Sequence, residues 1–198
     1  YAVAYQHSEP GLQLALRGRA DGYDAEEGLV EEIKTCRGAP DAIPEAVAQL
    51  HFAQGRLYAA IIAAQGETDA LTVRVTWFNI DSGEEFSRSE HYTRAELADF
   101  LADTLARFAH WLHALMQARR ERDASIVALA FPYGGFRSGQ REIAELAYKC
   151  VHQGGQLLLE APTGIGKTAA VLFPALKALA TGRHDKGIFL TAKTVGRR

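Results

Sequence analysis

The chain has 198 residues, 47% of them hydrophobic, which is enough to bury the core of one large domain or two small ones. Its formal net charge is −2, so if DNA binds, local patches or parts of the protein outside this chain must bind it. The sequence has no stretch suited to a transmembrane helix and no signal-peptide pattern, and its two cysteines cannot form a disulfide framework. These features favour a reducing, cytoplasmic setting.

The first half of the chain predicts strands interrupted by one helix. Five segments are predicted as β-strands: residues 2–7, 12–19, 29–35, 71–80 and 84–92. Turns at Glu9-Pro10-Gly11 and Asp81-Ser82-Gly83 join neighbouring strands, and residues 23–28 predict an acidic turn. The alanine-rich residues 45–64 predict a helix. Because the first strand begins almost at the first residue, we expect the chain to be cut from something longer.

A long helix is predicted after the last of these strands. Thr93 and Glu96 have the spacing of a capping box, in which the two side chains satisfy free backbone N–H groups. Six apolar residues behind it recur at helical spacing and are predicted to face the core: Leu97, Leu101, Leu105, Phe108, Leu112 and Leu115. Trp77 and Trp111 are assigned to the core as well. The charged residues 119–123 are predicted to end the helix and to link two domains, 1–122 and 123–198.

The second region predicts a β-α unit of a parallel sheet. Its elements are a helix, a short apolar strand, a loop, a second helix and a second strand, at residues 139–152, 156–160, 161–166, 167–180 and 187–191. The loop reads Ala161-Pro-Thr163-Gly164-Ile165-Gly166-Lys167-Thr168. Such a glycine-bearing bend between a strand and a helix is typical of a site for phosphate groups.

Each part of this loop has a physical task. Gly164 and Gly166 let the backbone curl so that its N–H groups point at phosphate oxygens, and the helix N-terminus adds partial positive charge. Lys167 can reach the β- and γ-phosphates of ATP, and the Thr168 hydroxyl can bind Mg²⁺. The usual first glycine is Ala161 here, but the inner glycines do the curling. We therefore predict that residues 163–168 bind the phosphates of ATP.

Two sequence blocks, one on each side of this loop, indicate the class of protein more specifically. Upstream stands Phe131-Pro-Tyr133-Gly-Gly-Phe-Arg137-Ser-Gly-Gln140, and downstream stands Phe189-Leu-Thr191-Ala-Lys193-Thr194. With the loop, these blocks resemble the start of a superfamily 2 DNA helicase of the XPD/DinG type. The resemblance implies that the upstream block borders the adenine base through Tyr133, Arg137 and Gln140. It also implies that the downstream block contacts single-stranded DNA through Thr191, Lys193 and Thr194. A core aromatic at Tyr133 and a solvated cation at Lys193 are the alternatives.

The same resemblance implies motor parts that would follow the last residue. They are the Walker B acid that holds Mg²⁺, a second motor domain and, in many relatives, the cysteines of an iron–sulfur cluster. We therefore expect these 198 residues to bind phosphate but not to hydrolyse ATP or unwind DNA by themselves.

A second candidate site lies in the first region. If the strand ending near Asp21 pairs with the strand that contains Glu32 and Lys34, Asp21 lies beside Glu32. Two such carboxylates can hold Mg²⁺ or Mn²⁺, and Lys34 can orient a water or offset developing charge. On the predicted helix, Gln54 and Tyr58 lie one turn apart on the same face.

The order G-x-x-D, E-x-K and Q-x-x-x-Y resembles the RecB-type branch of the PD-(D/E)xK nucleases. This resemblance implies that Asp21, Glu32 and the Ile33 carbonyl bind the metal, that Lys34 is catalytic, and that Gln54 and Tyr58 position DNA. The helix that usually precedes the first strand, with its additional acidic residue or histidine, is absent. Asp24 and Glu31 are alternative carboxylates, although Glu31 should face the opposite side of its strand from Glu32.

The expected fold is therefore α/β, with a mixed-sheet nuclease-like domain followed by the start of a RecA-like phosphate-loop domain. The expected function is an ATP-dependent DNA helicase with a metal-dependent nuclease-like domain, acting on single-stranded or junction-bearing DNA in repair or recombination. An N-terminal domain that grips DNA without cutting it is the first alternative, and a nucleotide-binding module unrelated to nucleic acid is the second. His51, His110 and His113 are expected to be solvated or capping residues rather than metal ligands.

Overall fold

The computed structural model describes residues 1–39, 42–66 and 68–190. The chain divides into two compact units after Leu112, and each is described by itself. Within the described residues, no helix is long and apolar enough to cross a membrane.

The first unit contains an antiparallel two-stranded sheet, a mixed four-stranded sheet and a helix that connects two parallel strands. Its elements are β1 (Ala2–Glu9), β2 (Leu12–Arg19), β3 (Gly22–Asp24), β4 (Leu29–Cys36), α1 (Glu45–Gln65), β5 (Ala70–Asn79) and β6 (Glu85–Thr93). β1 and β2 form an antiparallel hairpin, and the four-stranded sheet has the order β3-β4-β5-β6. β4 and β5 are parallel and the outer pairs are antiparallel, so the predicted mixed sheet is confirmed. Parallel neighbours need a long connection, which α1 supplies.

The core of this unit lies between α1, the start of α2 and one face of the sheet. Val73, Val75 and Trp77 alternate along β5 and are all buried, as their spacing predicts. α2 (Arg94–Ala128) begins at the predicted capping box: the Thr93 amide donates to Glu96 Oε2 over 2.8 Å, and the Glu96 amide donates to Thr93 Oγ1 over 3.3 Å.

The strand that brings Asp21 to Glu32 differs from the predicted one. The prediction pairs the strand at residues 12–19 with the strand at 29–35, but β2 pairs only with β1 among the described strands. Instead β3, whose residues were assigned to a turn, pairs with β4 and sets Gly22 opposite Glu31. Strand pairing is thus interrupted at Ala20 and Asp21, before the chain joins the larger sheet. Asp21 therefore directly precedes Gly22, the residue that pairs with Glu31.

Two predictions about α2 are wrong. The helix does not end at residues 119–123 but continues to Ala128, because these residues are good helix formers and the first proline follows only at Pro132. Trp111 is 53% exposed and Phe108 is 47% exposed, so neither belongs to the core. Leu97, Leu101 and Leu105 are buried as predicted.

The second unit contains helices packed on one another. α3 (Gln140–Gln153) and α4 (Lys167–Leu179) lie within two residues of their predicted bounds. The predicted strands at 156–160 and 187–191 are not strands in the described part of the chain, which ends at Leu190. A buried parallel strand is defined by its hydrogen-bonded neighbours. Among the described residues these segments have none, and Leu158 and Leu190 are largely exposed.

Candidate functional site

The bend before α4 is curled rather than extended. Gly164 and Gly166 both have φ near +84°, a left-handed conformation that side-chain-bearing residues rarely adopt, and α4 begins directly after them. Within the part of the chain that the structure describes, the amides of Gly164, Gly166, Lys167 and Thr168 donate no hydrogen bond. A helix N-terminus with free amides and partial positive charge is suited to an anion.

Lys167 lies across this bend. Its Nζ donates to the carbonyl oxygens of Ala161 over 2.9 Å and Pro162 over 2.8 Å, and the side chain is exposed. The two carbonyls hold the ammonium beside the glycines. Thr168 is exposed on the first turn of α4, next to Lys167. The residues predicted for phosphate contact, including Thr163 and Ile165, therefore form one continuous bend.

Gln140 and Arg137 brace the bend from the side. The buried Gln140 donates from Nε2 to the Gly166 carbonyl over 3.2 Å and accepts from the Arg137 amide over 3.0 Å. Arg137 donates to the Gly164 carbonyl over 2.7 Å. Both residues of the upstream block thus hold the bend in shape, a role that their predicted contact with adenine did not include.

Tyr133 and the downstream block are the other parts of the two flanking blocks that were predicted to contact ligands. Tyr133 is 64% exposed, which excludes the core position that was its alternative. Phe131 packs against Phe136 and Phe173, so the aromatic residues of the upstream block anchor it to α4. Thr191, Lys193 and Thr194 lie outside the described residues.

In the first unit, four predicted residues form a hydrogen-bonded chain. Lys34 Nζ donates to Glu32 Oε1 over 2.5 Å and to Gln54 Oε1 over 3.1 Å. Gln54 Nε2 in turn donates to the Tyr58 hydroxyl over 3.2 Å. The polar chain runs from β4 to α1 and joins two motifs that are 20 residues apart in sequence.

Asp21 lies beside the Glu32 end of this hydrogen-bonded chain. Its Oδ2 accepts a hydrogen bond from the Ile33 amide over 2.8 Å, which fixes the carboxylate against β4. The pairing of Gly22 with Glu31 places Asp21 beside Glu32. Burial raises the pKa of Glu32, and the negative charge of Asp21 adds to that shift.

Glu32 is the buried member of the pair. It is 2% exposed, and among the described residues its Oε2 has no hydrogen-bond partner. Burial raises the pKa of Glu32 above its ordinary value, and the hydrogen bond and charge of Lys34 only partly oppose that shift. An orphaned buried carboxylate oxygen is costly unless something binds it. A divalent cation shared with Asp21 fits this atom, because Mg²⁺ and Mn²⁺ prefer carboxylate oxygen.

The alternative carboxylates are engaged elsewhere. Asp24 Oδ1 accepts from the amides of Glu26 and Glu27 and so caps the turn after β3. Glu31 Oε1 accepts from Thr76 Oγ1 over 2.8 Å. In the described part of the chain, no group of three histidine, cysteine or acidic side chains could hold a metal ion.

Two glycines let the α1 side chains reach the sheet. A Cβ at Gly55 would lie 2.6 Å from Val73 Cγ1, so this helix position must be glycine for α1 to pack closely on β5. A Cβ at Gly18 would lie 2.5 Å from Tyr58 Cε1, so β2 leaves space for the tyrosine ring. Close packing at both places brings Gln54 to Lys34 and Tyr58 to β2.

His51 belongs to the same neighbourhood, contrary to its prediction as a solvated or capping residue. Its Nδ1 accepts a hydrogen bond from Trp77 Nε1 over 3.0 Å. Burial, and secondarily the charge of Lys34, lowers the pKa of His51 and favours the neutral ring. The signal that sequence analysis missed is spacing, because residues 51, 54 and 58 share one face of α1.

The family match lies in the second region. Residues 140–194 match the family model of the DEAD/DEAH box helicase. A stretch of 46 residues is 44% identical to the probable ATP-dependent helicase MJ0942 of Methanocaldococcus jannaschii; it covers 23% of this chain and 7% of that protein. A solved structure described as the crystal structure of SSO0001 has a TM-score of 0.34 and 18% identity over 54% of this chain and 48% of that one. This last likeness is too weak to support an assignment.

The helicase match includes the curled bend, α4 and Gln140. The second region therefore carries a DEAD/DEAH box helicase signal. The chain spans only a small part of the curated relative that it matches.

Proposed function

We propose that this chain is part of an ATP-dependent DNA helicase of the XPD/DinG type that carries a metal-dependent nuclease-like domain and acts in DNA repair or recombination. The observation that carries the motor assignment is the curled bend inside the segment that matches helicases. Within the described residues, its amides at Gly164, Gly166, Lys167 and Thr168 donate no hydrogen bond. The XPD/DinG type rests on the upstream and downstream blocks of the sequence.

The bend binds the triphosphate through its amides and Lys167. When phosphate oxygens approach, the Lys167 ammonium exchanges two neutral carbonyl partners for anionic ones, which form stronger hydrogen bonds. Gln140 and Arg137 keep the loop carbonyls turned away from the anion, since they donate to the Gly166 and Gly164 oxygens. Mg²⁺, when bound with ATP at the Thr168 hydroxyl, neutralises phosphate charge.

The two glycines offer a matched test of this assignment. Alanine at either position must adopt φ near +84°, which costs about 1 kcal/mol or more. A Cβ at Gly164 meets nothing within 4 Å, whereas a Cβ at Gly166 lies 2.5 Å from Gln140 Nε2 and displaces a buried brace. We expect the wild-type chain to bind a fluorescent ATP analogue saturably in Mg²⁺, Gly164→Ala to bind it somewhat more weakly, and Gly166→Ala to bind it about tenfold more weakly than Gly164→Ala.

Absence of saturable binding by the wild type would remove the motor assignment. Equal affinities of the two alanine variants would show that the Gln140 brace has no part in nucleotide binding.

We propose further that the first unit is a nuclease-like domain whose centre is Asp21, Glu32 and Lys34. Asp21, Glu32 and the Ile33 carbonyl would hold Mg²⁺ or Mn²⁺, which lowers the pKa of bound water and stabilises phosphate charge. Lys34 supplies a positive charge beside the metal ligands, and Gln54 fixes its ammonium. Tyr58 extends the polar chain toward β2 and offers a hydroxyl to DNA.

A domain that grips DNA without cutting it is the second candidate. It is favoured by the small ligand set, because the described residues include no group of three acidic, histidine or cysteine side chains for a metal, and the Lys34 ammonium already contacts Glu32. The two candidates differ in whether single-stranded DNA is cleaved in Mg²⁺ or Mn²⁺, with Lys34→Ala as the control.

A further inference from the structure

We propose that Phe108 and Trp111, with the adjoining cavity beside Tyr58, form a subsite on which the bases of single-stranded DNA stack. The proposal deepens the nuclease-like function proposed above and rests on it for the presence of DNA at this face.

The aromatic pair is the first observation. Phe108 and Trp111 lie three residues apart on α2, their ring centroids are 5.6 Å apart, and their planes differ by 27°. Both rings are about half exposed although the helix buries Leu105 one turn earlier. Two nearly parallel aromatic faces open to solvent match what a nucleobase needs, because every base presents a flat π-face.

A cavity next to Phe108 is the second observation. It has a volume of about 320 Å³ and lies between β2, α1 and α2. Its lining includes apolar side chains, one cation and one hydroxyl: Leu14, Leu57, Ile61, Arg17, Tyr58 and Phe108. An apolar floor with a few convergent polar groups is typical of ligand sites.

The cavity shares Tyr58 with the hydrogen-bonded chain of the candidate metal centre. Tyr58 lines it with its ring and accepts a hydrogen bond from Gln54, which contacts Lys34. A DNA strand with a phosphate at Glu32 and Lys34 would contact the Tyr58 hydroxyl next. Its bases would then reach the apolar recess and the rings of Phe108 and Trp111. The exposed Arg17 at the cavity adds the positive charge that a phosphate backbone requires.

Single-stranded DNA fits this surface better than a protein partner does. A docking helix would need a continuous apolar groove, but the recess here is flanked by Arg17 and shares Tyr58 with the hydrogen-bonded chain that includes Lys34 and Glu32. Duplex DNA keeps its bases stacked inside, so it cannot offer them to Trp111 without unstacking. The surface thus selects a strand whose bases are free.

Tryptophan fluorescence provides a direct test. The chain has two tryptophans, and Trp77 is buried, so quenching by a bound oligothymidylate reports Trp111. The titration is done in EDTA, which prevents cleavage, and the affinities of variants are measured by anisotropy of a labelled oligothymidylate. We expect quenching of the wild type, affinity about tenfold weaker for Trp111→Ala and for Phe108→Ala, and near wild-type affinity for Trp111→Phe.

Melting curves of all variants show whether the fold is intact. Trp111→Phe keeps an aromatic ring for stacking but removes the indole. Equal affinity of Trp111→Ala and the wild type would overturn the subsite even if the wild type cleaves DNA in Mg²⁺. Loss of self-association in Trp111→Ala, with unchanged DNA affinity, would overturn it in favour of contact between copies. Stacking in EDTA without any cleavage in Mg²⁺ or Mn²⁺ would support the subsite and remove only the nuclease activity.

Discussion

Lys34→Ala is expected to reduce metal-dependent cleavage of single-stranded DNA by at least about 100-fold, because it removes the positive charge next to the proposed metal ligands. In the structure the Lys34 ammonium contacts both Glu32 and Gln54, so its loss also separates the two motifs. The measurement is the rate of cutting of a labelled single strand in Mg²⁺ and in Mn²⁺. Arg37→Ala, an exposed cation just after β4, is the matched control and should cut like the wild type.

Glu32→Gln is expected to affect DNA cleavage and folding stability in opposite directions at the same site. The pKa of Glu32 is raised by burial, so its carboxylate form destabilises the fold: the effect is absent below about pH 4.5 and grows as the pH rises through the folded-state pKa. In EDTA at pH 8, Glu32→Gln should therefore be more stable than the wild type, and the difference should shrink toward pH 4. Cleavage should be lost, and Mg²⁺ or Mn²⁺ should raise the melting temperature of the wild type only.

Two results would contradict this account of the first unit. Equal cleavage by the wild type and Lys34→Ala would remove the nuclease assignment. A wild-type chain that binds single-stranded DNA but never cuts it would favour the gripping domain instead.

Lys167→Ala is expected to lower the affinity for Mg²⁺-ATP by about 100-fold, roughly 3 kcal/mol, because the ammonium is the charged group that the bend holds for the phosphates. The side chain is exposed and its partners are loop carbonyls, so the melting temperature should change little. Isothermal titration of both proteins measures the loss. Lys149→Ala, an exposed lysine on α3, should bind ATP like the wild type. Unchanged affinity in Lys167→Ala would count against the motor assignment.

Local signals predicted the helices and the polar residues of the first site. The capping box at Thr93 fixed the start of α2, and residue spacing along β4 and α1 predicted which side chains share a face. Those signals depend only on residues that are close in sequence, so they can be recognised without knowledge of the fold.

Features that depend on distant partners were not predicted. β3 was assigned to a turn because a three-residue strand is defined by β4, and the segments at 156–160 and 187–190 lack described neighbours. The reach of Gln54 to Lys34 depends on the missing Cβ of Gly55, which has meaning only once α1 lies on Val73. His51 was missed because its partner Trp77 lies 26 residues away.

The central claim is that the bend between Ala161 and Lys167 wraps free amides around a triphosphate. Amide NMR of the ¹⁵N-labelled chain, titrated with Mg²⁺-ATP, tests it most directly. We predict that the signals of Gly164, Gly166, Lys167 and Thr168 shift most and saturate together, because these amides donate no hydrogen bond in the described structure. Saturable shifts elsewhere, with these four signals unmoved, would contradict the claim.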